Sequence, residues 1–372
     1  MNTSDRTKRL EAFPFLRTEG LPFEVGKAHG TTFGERVGAS VAVYRERFVE
    51  YGIAWPRALE FAERAGEFLR GIDPGLAEEI DGIAAGAEVD PREVMAINIR
   101  TGVFRLAEYG GVFDADHECT TAAILPEATA DGHTLLAQNW DQNARLQPNT
   151  VVIEQHIAGE PALLFVTEAG ILFRHGMSDA GLGIAGNGLR SDREDSPDHG
   201  LPACIVRRRA LRHDNLAAAR REIENTPRSH SGNHLLADAA GTAVDLEVVP
   251  GETFPIEPEA DVLVHSNHFQ HPDACATLHD HGPQSHPDTL FRDGRVREHL
   301  TNRHGHIRVE DVREALKDHY GHPKSVCRHA EDPTSSSAGF TLASSVWNLT
   351  ERRMWTAPGP ACQGTYTEYA FT

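Results

Sequence analysis

Residues 113–126 read FDADHECTTAAILP, and the junction inside this stretch decides how the chain folds. A polar approach ends at Glu118. From Cys119 onward, Thr120, Thr121, Ala122, Ala123 and Ile124 form the small and β-branched run of a buried strand. A nucleophile on the first residue of a strand becomes a chain terminus if the preceding peptide bond is cut, and the freed α-amine then serves as its own general base. An unperturbed α-amine titrates at about 7.7 to 8, which suits removal of a thiol proton near neutral pH. Cys119 would then supply both nucleophile and base.

On the N-terminal side of the junction the pattern is helical. Phe33, Val37, Val41, Tyr44 and Phe48 recur at three- and four-residue steps and predict an amphipathic helix over 32–51. Asp73-Pro74 and Asp90-Pro91 read as N-caps followed by first-turn prolines, opening LAEEIDGIAAGA and REVMAINIRTGV. On the C-terminal side strands dominate. CTTAAILP and TLLAQNW flank the turn-rich EATADGH, NTVVIEQHI, PALLFVTEAG and ILFRHGMSDAGLGIAGNGL follow, and HLLADAAGTAVDLEVV is the clearest hairpin. A helix over 203–225 interrupts them, a helical stretch spans about 287–320, and FTLASSVWNLTERRMWTA returns to strands. The segment 269–287 reads as a surface loop with His279, His281 and His286 in solvent. This order predicts one α+β domain over 1–372 built from layered sheets.

Composition narrows the function. Thirty-six Lys and Arg against fifty-five Asp and Glu give a net charge of −19, the wrong sign for coating nucleic acid or an anionic membrane. No apolar run reaches the roughly 18 residues of a membrane span, and MNTSDRTKRLEAF lacks the apolar core of a secretory signal, so a cytoplasmic protein is expected. Five cysteines, at 119, 204, 275, 327 and 362, are odd in number and form no CxxC pair; neither a disulfide framework nor a cysteine zinc site is suggested. His265, His268 and His271 recur every three residues, but that spacing sends strand side chains to opposite faces and no ready carboxylate partner stands beside them, so no metal is expected. GIAGNGL follows no dinucleotide-binding pattern and GxxxxGK[ST] is absent, so no nucleotide cofactor is expected.

The sequence resembles the autoproteolytic acyltransferases related to acyl-coenzyme A:isopenicillin N acyltransferase, a branch of the N-terminal-nucleophile hydrolases. The resemblance rests on GKAHGTTFGE, on ECTT followed by QNWDQN, and on GMSDAGLGIAGNGL, LPACIVRRRAL, HLLADAAGTAVDLEV, HSNHF, KDHYGHPKSVCRH and TLASSVWNL, in that order. It implies an αββα sandwich whose precursor cleaves itself between Glu118 and Cys119 into a mainly helical chain of 1–118 and a chain of 119–372. It further implies Cys119 as nucleophile, Asp141 as its supporting acid, Asn267 as an oxyanion donor and Arg328 as an active-site arginine. Thr121 shares the strand face of Cys119 by the two-residue period and is a supporting candidate. The expected substrate is a small-molecule amide or acyl donor, attacked to give a Cys119 thioester; the expected partners are the two cleaved chains, with a homo-oligomer open as a further assembly.

Two departures from the family's pattern stand out. The family commonly has glycine before the nucleophile, where this chain has Glu118, whose side chain must fit a strained turn. The hairpin from Cys119 to Asp141 also looks longer, and the acidic chain shows no basic cluster suited to coenzyme A phosphates. Other readings stay open. Cys119 can be a buried structural thiol, Asp141 a turn or capping carboxylate, Asn267 a turn residue, and Arg328 a surface partner of Glu331 or Asp332. The whole can be a non-catalytic binding protein, an acyl-coenzyme A-dependent N-acyltransferase, or a cysteine protease with a separate histidine base.

Overall fold

A computed structural model describes residues 12–108, 118–332 and 339–372. The approach FDADH, up to His117, lies outside the described residues. In chain order, β1 (Phe15–Gly20) leads into five helices, α1 (Pro22–Glu50), α2 (Trp55–Ile72), α3 (Pro74–Ala87), α4 (Pro91–Asn98) and α5 (Arg100–Glu108). Then come β2 (Cys119–Ile124), β3 (Leu135–Asn143), β4 (Thr150–Ile157), β5 (Leu163–Glu168), β6 (His175–Ser178) and β7 (Leu182–Ala185). Helices α6 (Ala203–Ala210) and α7 (Leu216–Asn225) precede β8 (Gly232–Asp238), β9 (Ala243–Val249), β10 (Glu252–Ile256) and β11 (Val262–His265). The chain closes with α8 (Pro272–Thr277), α9 (Gly282–Ser285), α10 (Thr289–Thr301) and α11 (Val309–Ala315), then β12 (Gly339–Asn348), β13 (Arg353–Pro358) and β14 (Thr367–Ala370).

The strands form two sheets, one in the order β1-β4-β5-β6-β7-β8-β9-β10 and one in the order β11-β2-β3-β12-β13-β14. Strand alternation makes the layers. On β2 and β3, Ala123, Leu136 and Trp140 point into a core shared with the eight-stranded sheet and with α1 to α4. Their neighbours Ala122, Ile124, Leu135 and Ala137 point the other way, onto Val296 and Leu300 of α10 and Val312 of α11. The result is helix, sheet, sheet, helix: the expected αββα sandwich, with Cys119 opening a strand flanked on both sides by partners.

Several elements differ from the sequence reading. Helix α1 starts ten residues earlier than the apolar stripe, at Pro22, because proline is tolerated where the first-turn amides have no helical partner. The mainly helical first part also contributes β1, which pairs parallel with β4. The helix expected over 203–225 is two helices, and the stretch 287–320 is α10 and α11 separated by a turn. The predicted surface loop 269–287 carries α8 and α9 and buries Phe269, Ala274 and His286. The hairpin of β8 and β9 is present, with Ala237 opposite Ala243. Among the described residues no helix is long and apolar enough to cross a membrane.

GKAHGTTFGE acquires a physical reason in the packing of α1 on α3. A Cβ on Gly26 would lie 2.1 Å from the Glu79 carbonyl oxygen, and one on Gly30 would lie 2.1 Å from that of Ile83. Reciprocally, Gly82 and Gly86 face the carbonyls of Phe23 and Lys27 at 2.2 and 2.3 Å. The two helix backbones touch along four glycines, and no side chain fits between them. Gly38, further along α1, meets nothing within 4 Å. Gly30→Ala should therefore cost about 1–3 kcal/mol of stability through overpacking, whereas Gly38→Ala should be neutral or gain about 0.5–1 kcal/mol of helix propensity. Thermal unfolding midpoints of the two variants check this, and equal midpoints would contradict the contact.

Candidate active site

The site is built where the start of β2 meets β3, the loop after β11 and the N-terminal end of α10. Glu118 and Cys119 are buried, and Glu118 has no solvent exposure at all. The Glu118 carbonyl oxygen accepts a hydrogen bond from the backbone N–H of Asp141 at 2.9 Å. The Cys119 N–H donates to Oδ1 of Asn267 at 2.8 Å. Both polar ends of the peptide unit joining Glu118 to Cys119 are thus held, one by β3 and one by the segment after β11.

The Glu118 side chain has its own enclosure. Its carboxylate forms a close ion pair with Arg328 and a close contact with Nδ1 of His286, and Nη2 of Arg292 lies 3.1 Å from it. Burial pushes this carboxyl up, but Arg328 and Arg292, helped by bonds to His286 and Asp288, hold it well below the usual carboxylate range. Asp288 lies 3.0 Å from both Arg292 and Arg328. Burial, then the bond to Glu118 and its charge, raise Asp288 to about 6, so of the two carboxyls Asp288 is the one that takes up a proton first as pH falls. The left-handed non-glycine residues among those described are Glu88, Ala260, Asp261 and Arg352.

Arg292 is fully buried and joins several elements: it donates to the Cys119 carbonyl at 2.6 Å, to Thr120 Oγ1 at 2.9 Å and to Asn267 Oδ1 at 2.8 Å. The sequence reading missed it, together with His286 and Asp288. The usable signal was the four-residue spacing of Asp288 and Arg292 at a helix start. The Asn267 segment is anchored in turn by Thr289, whose Oγ1 accepts from the Asn267 N–H at 2.7 Å.

Every residue singled out from the sequence lies here. Asp141 accepts a bond from Thr341 at 2.6 Å and lies 3.7 Å from Nε of Arg328. Burial raises Asp141 to about 7 in spite of Arg328 and Arg292. Burial, and next the charge of Asp141, also raise the Cys119 thiol, against a lowering by Arg174. Arg328 is buried and turned inward, while Glu331 pairs with Lys324 at 3.0 Å. In this chain the Asn267 amide group donates to the Gly188 carbonyl at 2.9 Å, and it is the Asp141 N–H that faces the Glu118 carbonyl. Thr121 receives a bond from Asn187 at 3.1 Å. His286 is not in solvent but against Glu118, because the loop that carries it folds over the start of β2. Of the three histidines spaced by three, the rings of His265 and His268 stack with centroids 6.4 Å apart. His265 pairs with Glu247 at 2.8 Å, a carboxylate partner from β9 that was not visible from its sequence neighbours.

Cys119 and Asp141 open onto a cavity of about 50 Å3, also lined by Arg105, Arg174, Asn187 and Arg207. No basic cluster is visible in the sequence because these arginines come from α5, the approach to β6, and α6. Arg207 donates to His234, Asn233 and the Arg174 carbonyl. Arg174 sits over the Trp140 ring at 4.6 Å, and among the described residues no carboxylate pairs with it, since nearby Glu168 is taken by Arg100 and Tyr44.

The layered sandwich with a buried cysteine opening an inner strand is the arrangement of an N-terminal-nucleophile hydrolase. The chain belongs to the acyl-coenzyme A:6-aminopenicillanic acid acyl-transferase family, whose pattern matches residues 128–360 and so includes Asp141, Asn267 and Arg328 but not Cys119. It is 26% identical over 351 residues to the 40 kDa form of acyl-coenzyme A:6-aminopenicillanic-acid-acyltransferase of Emericella nidulans, covering 90% of this chain and 89% of the relative. Similar solved structures include a conjugated bile acid hydrolase from Clostridium perfringens (TM-score 0.44, 13% identity, covering 68% of this chain and 97% of the other). A Caenorhabditis elegans ortholog of N-acylethanolamine-hydrolyzing acid amidase matches with TM-score 0.44 and 13% identity, covering 68% of this chain and 100% of the other. The chain is an enzyme of the acyltransferase class.

The raised carboxyls give a signed pH dependence. Asp141 and Asp288 lose their protons near 4 when unfolded but near 7 and 6 when folded, so folding binds protons across pH 4–7 and stability falls as pH rises through that window. In a Cys119→Ala background, adding Asp141→Asn should improve the unfolding midpoint progressively between pH 5 and pH 8. A pH-independent difference would remove Asp141 from this account.

Proposed function

We propose that the chain cleaves itself between Glu118 and Cys119 and then acts as an N-terminal cysteine amidohydrolase or acyltransferase on a small-molecule amide. The observation that carries this reading is the two-sided grip on one peptide unit: the Asp141 N–H on the Glu118 carbonyl and Asn267 on the Cys119 N–H. Attack of the Cys119 Sγ on the Glu118 carbonyl carbon places negative charge on the oxygen that Asp141 already contacts. A preorganised donor of this kind is worth roughly 3 kcal/mol in the transition state. The C–N bond then breaks, its nitrogen takes a proton, and the acyl group of Glu118 passes to sulfur; water hydrolyses that thioester and frees the thiol and the Glu118 α-carboxylate.

The new α-amine keeps Asn267 as its acceptor and takes the thiol proton in the next cycle. Cys119 attacks the substrate amide, the leaving amine departs protonated, and the Cys119 thioester is resolved by water or by an acceptor amine. Arg328 and Thr341 keep Asp141 in place beside this centre. The cationic cavity wall, and Arg174 above all, favours a substrate with a carboxylate or other anionic group close to its amide. The working enzyme in this reading is the assembly of its own 1–118 and 119–372 chains.

Intact-mass spectrometry of purified protein should find two chains, 1–118 and 119–372, and a single chain for Cys119→Ala. An intact wild type that turned over amides would sink the self-cleavage step, and acyl substrates that never add mass to the 119–372 chain would sink the thioester. For paired substrates that differ only in a free or an amidated carboxylate, Arg174→Gln should raise KM for the anionic member about tenfold, the loss of roughly one charged hydrogen bond, and leave the neutral one little changed. Equal effects on both would contradict the assigned recognition.

A further inference from the structure

Outside the active site, the segment after α11, the stretch 327–329 and the turn between β13 and β14 bring together His319, Cys327, His329 and Cys362, whose ligand atoms all lie within 4.8 Å of one another. The distances are informative. Nε2 of His329 lies 3.2 Å from Nε2 of His319, 3.4 Å from Sγ of Cys362 and 3.7 Å from Sγ of Cys327. A tetrahedral zinc with Zn–N of about 2.05 Å and Zn–S of about 2.3 Å requires edges of about 3.3 Å between nitrogens and about 3.6 Å between nitrogen and sulfur. The observed spacings are these edges to within about 0.2 Å.

Hydrogen bonding alone explains the cluster poorly. A neutral imidazole Nε2 is either one donor or one acceptor, so a single such atom cannot satisfy three close neighbours at once. Four lone pairs directed at a central cation can. Two thiolates and two imidazoles are also the ligand set that prefers zinc over hard cations.

We propose that His319, Cys327, His329 and Cys362 bind one Zn2+ in a closed, four-coordinate structural site, a role that no sequence spacing announced because Cys362 lies far along the chain from the rest. Binding releases the two thiol protons to solvent, and no other bond is made or broken. The placement gives the ion a purpose. Cys327 and His329 flank Arg328, and while their ligand atoms meet at the cluster the Arg328 guanidinium points away from it at Glu118 and Asp141. Thr341 ties the same segment from the other side, accepting from the Arg328 N–H at 3.1 Å. The ion would act as a positioning group for Arg328. The binding itself does not depend on the proposed reaction.

The test is metal content, measured on the full chain expressed with zinc and purified without chelator. Elemental analysis should give about one zinc per chain, and Cys362→Ser, at an exposed position, should reduce it at least tenfold while the protein stays folded by thermal unfolding. Cobalt substitution should give the intense visible absorption of a tetrahedral sulfur-ligated ion, lost in the same variant. Chelator treatment should make two further thiols titratable and lower the unfolding midpoint. Zinc-free protein after zinc-supplemented expression would overturn the proposal, as would a mass deficit of two hydrogens showing Cys327 and Cys362 joined as a disulfide. Zinc bound by the wild type, together with scission at the wild-type rate in freshly synthesised, zinc-free Cys362→Ser, would separate the site from the positioning of Arg328 and overturn that part alone.

Discussion

A carboxylate with no solvent exposure must be neutralised where it stands, and Glu118 sets that requirement for the centre of this protein. An isolated buried carboxylate would cost many kcal/mol. Here Arg328 and Arg292 face it, with His286 and Asp288 alongside. Satisfying Glu118 draws together three pieces of chain distant in sequence: the residue that precedes β2, the segment 286–292 at the start of α10 and the stretch carrying Arg328. The same groups bind the backbone around it, since Arg292 also holds the Cys119 carbonyl and Asn267. Removing one partner would strand the other charges in a dry interior, so the network stands or fails as a unit.

This changes the meaning of the glutamate found where the family commonly has glycine. The junction carries a handle, fixed by two guanidiniums, beside a carbonyl that accepts from the Asp141 amide. The proposed self-cleavage then uses the side chain as an anchor and the peptide unit as the reacting group. After scission the anchor belongs to the first chain and the amine to the second, and the cluster that once joined neighbouring residues becomes a contact between chains. The cavity beyond Cys119, with Arg174 over Trp140, is the separate place where a substrate would be met.

Much of this was legible in the sequence. The abrupt change from FDADHE to CTTAAI placed the start of β2 correctly, the alternation in HLLADAAGTAVDLEVV gave its hairpin, and the ordered motifs led to Asp141, Asn267 and Arg328, all of which gather at the junction. What stayed hidden was long-range. Arg292 and His286 look like ordinary helix and loop residues until α10 is laid against β2, and the cavity arginines come from three unrelated segments. Glycines in GKAHGTTFGE were visible as a motif, but their cause, contact with the carbonyls of α3, needed the partner helix. The four metal-ligating residues, two of them exposed, show the same limit: no local spacing records a meeting between residues 319 and 362.

The claim on which the rest depends is that the Glu118 carboxylate positions its own peptide bond for attack by Cys119. The direct measurement is a mass-spectrometric time course of scission for freshly synthesised wild type and Glu118→Gln, with an unfolding midpoint to confirm that both are folded. The account predicts that the glutamine variant cleaves at the same bond but at least tenfold more slowly, a loss of about 1.4 kcal/mol in the barrier. Scission at an unchanged rate, or at a different bond, would contradict it.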